Sequence, residues 1–247
     1  MNEATDTPRG KVALITGGAT RVGRSITLAL ARSGVRTAVH FHSSQTEARE
    51  VEAELDRLGQ KHALIPGDLT QIATPKRIVE QTLDEFGALD VLINNAAILV
   101  PDSADAIGLA RMKTLNVDAV ERCIEAAFGS LKITSGSIIN IADVAGIVLY
   151  KKHRAYSRTQ SALIDLTRKK ALEFAPFQVT VNAICPGTVL PPPHYSEETI
   201  AGLIRRIPMG RIGSPADVAN AALYLAHAPY VTGQILAVDG GSSLEKR

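Results

Sequence analysis

Short apolar runs alternate with longer amphipathic stretches from Lys11 to the C-terminus. Val12-Ala13-Leu14-Ile15 and Val91-Leu92-Ile93 are apolar throughout, as strands covered on both faces should be. This pattern predicts strands near 11–16, 36–41, 61–66, 90–94, 136–142, 177–184 and 234–238. Helices are predicted near 22–33, 45–59, 72–87, 106–129, 155–174 and 215–227. Gly34, Gly59, Gly87 and Gly129 each follow a periodic stretch and are expected to end helices in a left-handed cap. Strand and helix in strict alternation predict one α/β domain over 11–247, with a parallel seven-stranded sheet and helices on both faces. Residues 1–10 are polar and are expected to form a disordered tail. Pro191-Pro192-Pro193 breaks the pattern between the sixth strand and a short helix near 197–206, which makes 188–206 the expected substrate loop.

Composition narrows the function classes. Hydrophobic residues make up 45% and charged residues 21%, enough apolar surface for a two-faced core. The formal net charge is +2, without a Lys/Arg block or a basic stripe, so charge gives no support to a nucleic-acid partner. Cys123 and Cys185 stand far apart, without CxxC or Cys/His spacing, which argues against a metal site and a disulfide framework and fits a reducing compartment. No stretch approaches the length of a bilayer span and the N-terminus carries no apolar signal region. A cytoplasmic protein without a membrane partner is the expectation.

The first chemistry lies where the first strand runs into Gly17-Gly18-Ala19-Thr20-Arg21-Val22-Gly23 and then a helix. Glycines let the backbone approach a pyrophosphate, and the helix start offers unpaired N–H groups to the anion. In that context the fold expected is a Rossmann-type doubly wound domain holding a dinucleotide. An NAD site carries an acidic residue after the second strand; here the segment reads His40-Phe41-His42-Ser43-Ser44. A carboxylate that would repel a 2′-phosphate is missing, and Arg21 can supply a cationic fork, so NADP(H) is the expected cofactor. Strand alternation favours His42 and Ser44, with Ser43, as phosphate neighbours over His40, whose other reading is a buried strand residue. Phe41 lies either near the adenine or in the core at the strand end.

Along nearly its full length the chain resembles the short-chain dehydrogenase/reductase family. The resemblance is carried by Thr16-Gly17 to Gly23, Asp68-Leu69, Asn94-Asn95-Ala96-Ala97, Asn116, Tyr156 and Pro186-Gly187, in that order. It implies that Asp68 and Leu69 border the adenine, Asn95 and Ala96 the ribose side, and Pro186, Gly187, Thr188 and Val189 the nicotinamide carboxamide. Asn116 looks like the family asparagine that kinks its helix and supports a proton-relay water; the plain alternative is a buried polar residue satisfied by backbone. Arg21 in place of a second glycine, the 40–44 segment, and Asp143 in place of the usual catalytic serine resemble pteridine reductases in particular. Ser43 departs from them, since those enzymes often carry an arginine there. An aspartic acid with a raised pKa can hand a proton to a ring nitrogen, which a serine cannot.

The family signature Tyr-x-x-x-Lys reads here Tyr156-Ser157-Arg158-Thr159-Gln160. Gln160 can hydrogen-bond ribose hydroxyls but carries no charge. A cation about 4 Å from a phenolate is worth roughly 4 kcal/mol at a partly screened dielectric, or about three pKa units. Oxidation needs Tyr156 as phenolate, whereas reduction needs a phenol that already holds its proton, so slow or one-way reduction is expected. Lys151, Lys152, His153 and Arg154 could bring a cation near, but read as solvated loop charges. His194 and Tyr195 sit on the expected substrate loop and are either ligand contacts or bare surface.

These residues predict an NADPH-dependent reductase acting on a C=N or C=O group of a small, pterin-like substrate. Tyr156 and Asp143 would be its acids, with Gln160 and Asn116 as positioning groups. A carbonyl or ketoacyl reductase is the enzymatic alternative. A dinucleotide-binding member that has lost catalysis, serving a regulatory or partner role, is the non-enzymatic one. The resemblance further implies a homotetramer or dimer built on the helices near 106–129 and 155–174.

Overall fold

In the computed structural model, residues 10–148, 150, 152–192 and 195–244 are described; Lys151, His194 and residues 1–9 of the expected tail lie outside them. Seven parallel strands form one sheet in the order β3-β2-β1-β4-β5-β6-β7. They are β1 (Val12–Ile15), β2 (Arg36–Phe41), β3 (His62–Pro66), β4 (Val91–Asn94), β5 (Ser137–Ile141), β6 (Thr180–Pro186) and β7 (Ile235–Val238). The crossovers run through α1 (Arg21–Arg32), α2 (Gln45–Arg57), α3 (Thr74–Phe86), α4 (Ala106–Lys113), α5 (Ala119–Thr134), α6 (Arg154–Phe174), α7 (Glu197–Ile204) and α8 (Pro215–Ala226).

Strand alternation decides which helix covers which face. Val12 and Leu14 pack with Leu92, Ile138 and Val181 under α3, α5 and α6, through Ile78, Ile124, Leu163 and Phe174. Ala13 and Ile15 face the other way and pack with Ile93, Ile139 and Ile184 under α1 and α8, through Ile26, Leu30, Val218 and Ala222. Such two-sided burial explains why these strands carry no polar face. Chain order reverses direction between β1 and β4, so the crevice for a ligand opens at the carboxyl ends of those two strands.

Three expectations need correction. The helix expected over 106–129 is two helices joined by a π-helical segment at Thr114–Asp118. Gly129 does not end it: α5 runs on to Thr134 because Leu131 is still buried in the core, and Ser135, at φ +49, takes the left-handed cap. Gly34, Gly59 and Gly87 do adopt positive φ. The sixth strand begins at Thr180, not 177, since Ala175–Phe177 form a 3-10 turn after α6 and Gln178 turns at φ +60.

No helix among the described residues is long and apolar enough to cross a membrane. No group of three or more His, Cys, Asp or Glu among them is placed to hold a metal ion.

Candidate active site

The glycine turn sits at the reversal between β1 and β4 and is laced from both sides. Asn95 Nδ2 donates to the carbonyls of Thr16 and Gly17, at 3.0 Å each. Thr16 Oγ1 in return accepts the N–H groups of Asn95 (2.9 Å) and Ala96 (3.1 Å). From β2, His40 Nδ1 accepts the Gly17 N–H at 3.2 Å, while Nε2 lies 3.0 Å from the Gly67 carbonyl. An acceptor at Nδ1 and a carbonyl at Nε2 fix one neutral tautomer, with the hydrogen on Nε2. His40 is therefore a buried support of the turn and not a ligand, and one N–H of the nest is already committed to it.

Burial pushes the His40 pKa down to about 4. Above the ordinary histidine value both folded and unfolded chains hold it neutral. As pH falls from there toward 4, only the unfolded chain gains the proton, so stability present near neutrality is lost, by up to about 3 kcal/mol. Urea unfolding near neutrality and near pH 5 should show this slope in the natural chain and a shallower one in His40→Gln. Equal slopes would remove His40 as the cause.

A continuous cleft of about 800 Å³ runs along the strand ends. Gly17, Arg21, Val22 and Gly23 line it beside His42, Ser43 and Ser44; Asp68 and Leu69 lie across from them. Asn95, Ala96 and Ala97 form the middle of the wall, and Pro186, Gly187, Thr188 and Val189 continue it toward Asp143 and Tyr156. Phe41 packs with Ala48, Val51 and Leu55 in the core at the strand end, and also lines the cleft. Partial burial opposes the charge of Asp68, but the N–H and hydroxyl of Thr70 outweigh it and hold the carboxyl below the usual range. Arg21 adopts φ +51, a left-handed position that glycine takes more readily, which fits its place in a glycine turn. Its guanidinium does not lie at the His42–Ser44 end. Nη2 donates to the Leu190 carbonyl at 2.9 Å, tying the turn to the 188–192 segment.

At the other end of the cleft, Tyr156 stands in the first turn of α6. Its hydroxyl donates to Asp143 Oδ2 at 3.3 Å, and Asp143 Oδ1 accepts the Ala145 N–H at 2.7 Å. That second bond caps a 3-10 turn at Val144–Gly146 and fixes where the carboxylate points. Burial, reinforced by the Asp143 charge, raises the Tyr156 pKa well above the ordinary phenol range. Tyr156 is thus held as a neutral phenol. The first turn of α6 is itself anchored by Asp102, whose carboxylate accepts the N–H groups of Arg154 and Ala155 at 2.9 Å. Nothing in local sequence marks Asp102, which lies far away along the chain.

Two expected positioning residues do not reach the cleft wall. Gln160 is almost fully buried on the inner side of α6, with Nε2 3.4 Å from Thr159 Oγ1. Asn116 is also buried: its amide donates to the Ile98 carbonyl (2.8 Å) and its oxygen accepts the Ile98 N–H (2.9 Å). Asn116 lies within the π-helical segment, and its side chain is engaged by the Ile98 backbone and by Thr159 Oγ1 (3.3 Å). Conversely, His153 and Tyr150 line the cleft, although the basic stretch before Tyr156 read as solvated charge. No local signal marks His153, which precedes α6 as its left-handed N-cap and so lies outside the helix periodicity. Tyr195 lines the cleft as well.

Comparison with known proteins agrees with this geometry. Residues 17–243 match the family model described as Enoyl-(Acyl carrier protein) reductase. The chain is 34% identical to a 3-oxoacyl-[acyl-carrier-protein] reductase of Staphylococcus aureus, over 94% of this chain and 97% of that protein. It is 35% identical to the enzyme of the same name from Synechocystis sp., covering 94% and 96%. The crystal structure of a blue fluorescent protein from a metagenomic library, in complex with NADPH, superposes with a TM-score of 0.89 at 31% identity, covering 95% of this chain and 98% of that one. Acetoin dehydrogenase YohF from Salmonella typhimurium gives 0.87 at 29%, covering 96% and 97%. A parallel seven-stranded sheet with a glycine turn at its reversal, a tyrosine facing that turn along one cleft, and these matches over the whole domain place the chain in the short-chain dehydrogenase/reductase family.

Proposed function

We propose that this chain is an NADPH-dependent carbonyl reductase acting on small oxoacyl-type substrates. The observation that carries the reading is a neutral, buried Tyr156 paired with Asp143 at one end of a cleft whose other end is a glycine cradle. The turn has the build of a dinucleotide cradle: a Cβ on Gly23 would fall 2.1 Å from the Gly17 carbonyl oxygen, so only a glycine at position 23 lets the start of α1 pack directly against the turn. Gly17, Val22 and Gly23 would hold the pyrophosphate, Asp68 and Leu69 the adenine, Asn95 and Ala96 the ribose, and Pro186 to Val189 the carboxamide. NADPH, when bound, supplies the hydride.

The phosphorylated coenzyme is preferred because no acid stands in the His42-Ser43-Ser44 segment after β2, where it would repel the added phosphate. Among the described lining residues the only acids are Asp68, which lies across from that segment with its carboxylate held by Thr70, and Asp143. His42, Ser43 and Ser44 lie where α2 begins, and a helix start favours an anion. Tyr156 holds the proton that the reduced oxygen takes up. Asp143 accepts from the Tyr156 hydroxyl and orients it. Residues 188–206 serve as the substrate loop.

Purified chain should oxidise NADPH in the presence of ethyl acetoacetate, and bind NADPH at least about tenfold tighter than NADH. No turnover with oxoesters or diketones sinks the reading. A C=N reduction of a dihydropterin is a second reading, favoured by Asp143 and Arg21; turnover with dihydropterins and none with oxoesters would establish it instead. The buried Gln160 motivates one further expectation. A longer lysine at this position, one turn after Tyr156, is the test of whether a cation there acts on the phenol: Gln160→Lys should raise alcohol oxidation about tenfold or more, with a smaller gain in reduction. The ratio of forward to reverse kcat checks this; an unchanged ratio means that the residue does not communicate with Tyr156. Assembly through α5 and α6, where Ile133 and Leu172 are exposed, belongs to the same proposal and is read by sedimentation.

A further inference from the structure

We infer that Asp102 is a positioning residue for the reduction: from the loop after β4 it holds the two peptide groups just ahead of Tyr156 and so sets where the phenol stands against Asp143. The inference rests on the carbonyl-reductase reading above and adds to it what keeps the proton donor in place.

Helix α6 does not cap its own start. His153, the residue before it, lies in the left-handed region at φ +62 and ψ +43 and gives no side-chain cap. At α4, α7 and α8 the preceding Asp105, Ser196 and Ser214 each accept an N–H of the helix they lead. For α6 that task falls to Asp102, 52 positions before Arg154: Oδ2 accepts the Arg154 N–H and Oδ1 the Ala155 N–H, both at 2.9 Å. Those are the first two residues of the helix, and Tyr156 is the third. One oxygen on each of two successive N–H groups holds the turn against pivoting, which a one-atom cap does not.

Asp102 is itself presented on a braced segment. Before it, Ile98 is held through both backbone groups by Asn116. Around it, the Ala104 N–H closes a turn on the Pro101 carbonyl at 2.9 Å, and Asp105 is committed to the start of α4. Asn116 also reaches the far side of the same helical turn, since its amide donates to Thr159 Oγ1, which in turn donates to the Tyr156 carbonyl at 2.8 Å. The peptide groups before Tyr156 are thus held by Asp102 and the one after it through Thr159. Between the Tyr156 hydroxyl and Asp143 Oδ2 the distance is 3.3 Å, at the long end of the hydrogen-bond range, so a shift of the turn by about half an ångström breaks the pairing. A misplacement of about 1 Å at a reacting group costs on the order of a hundredfold in rate.

Asp102→Ala, measured with NADPH and ethyl acetoacetate, should lower kcat about tenfold or more, with KM and the NADPH dissociation constant each within about twofold. Asp102→Asn keeps one acceptor oxygen, so it holds one of the two N–H groups and should lose only about threefold. Ser214→Ala removes a comparable cap from α8, on the opposite face of the sheet; it should lower the urea midpoint as Asp102→Ala does and leave kcat unaltered. Full kcat in Asp102→Ala, or a loss that Ser214→Ala matches, overturns the inference. A second readout needs no turnover. With tyrosine labelled at the ring carbon that bears the hydroxyl, the Tyr156 NMR resonance, identified by its absence in Tyr156→Phe, should move in both Asp102 variants and stay in place in Ser214→Ala. A resonance that stays in place in the Asp102 variants overturns the assignment, and where Asp102→Ala does not fold, Asp102→Asn decides it by the same two readouts. A moved resonance in a chain whose natural form turns over no oxoester keeps Asp102 as the residue that places Tyr156 and sinks the reductase reading alone.

Discussion

Tyr156→Phe is expected to lower carbonyl reduction by a factor on the order of 10² to 10⁴ while NADPH binding stays within about twofold of the natural chain. The hydroxyl is a proton donor on the cleft wall beside Asp143, and its pKa, raised by burial and by the Asp143 charge, keeps the proton in place across the whole working range. The same shift sets the sign of the pH response. Reduction should show no alkaline fall from loss of the Tyr156 proton at pH values where an ordinary phenol would already ionise. Stopped-flow single turnover at several pH values separates this chemical step from release of product. Retention of most of the activity in Tyr156→Phe would move the acid role to Asp143, which Asp143→Asn then tests directly. Because the Asp143 carboxylate also caps the turn at Val144–Gly146, the Asn variant needs a parallel unfolding curve so that lost chemistry is not confused with a displaced turn.

Gly23→Ala is expected to abolish measurable NADPH binding, at least a hundredfold loss, and to destabilise the fold by about 3 kcal/mol or more. The added methyl would sit 2.1 Å from the Gly17 oxygen and 2.6 Å from Asn95 Nδ2. Neither neighbour is the free end of a flexible side chain: one is backbone, and the other is the amide that laces the turn to β4. Relief therefore requires the whole cradle to open. Gly34→Ala is the matching control. Gly34 has φ +87 but nothing within 4 Å of its missing Cβ, so only conformational strain of about 1 kcal/mol is expected there, with coenzyme binding intact. Urea midpoints and NADPH fluorescence titrations on both variants distinguish crowding at the site from the general cost of replacing a glycine. Comparable losses in the two would remove the cradle as the reason for Gly23.

What the sequence determined by itself follows from local physics. An apolar run of four to seven residues between helix-length amphipathic stretches has one stable arrangement, a strand covered on both faces, so all seven strands were legible along with the crossover helices. A strand, a glycine turn and a helix start in direct succession marked the candidate anion site for the same reason: the turn itself lies within a dozen residues, although His40 and Asn95 brace it from other strands. Where local signals competed with packing, packing won. Gly129 reads as a helix stop, yet Leu131 has a core position to fill and α5 continues past the glycine.

Contacts between distant parts of the chain were decided by tertiary structure alone. Asp102 holds the start of α6 from some fifty positions away. Arg21 spends its guanidinium on the carbonyl of Leu190, although charge logic sent it to the ribose end. Gln160 and Asn116 turn inward to partners of their own, while His153, dismissed as one more solvated charge, faces the cleft. Periodicity reports which face of an element is apolar, but a polar side chain goes wherever a hydrogen-bonding partner is available, and that partner is supplied by the folded neighbours and not by the adjacent residues.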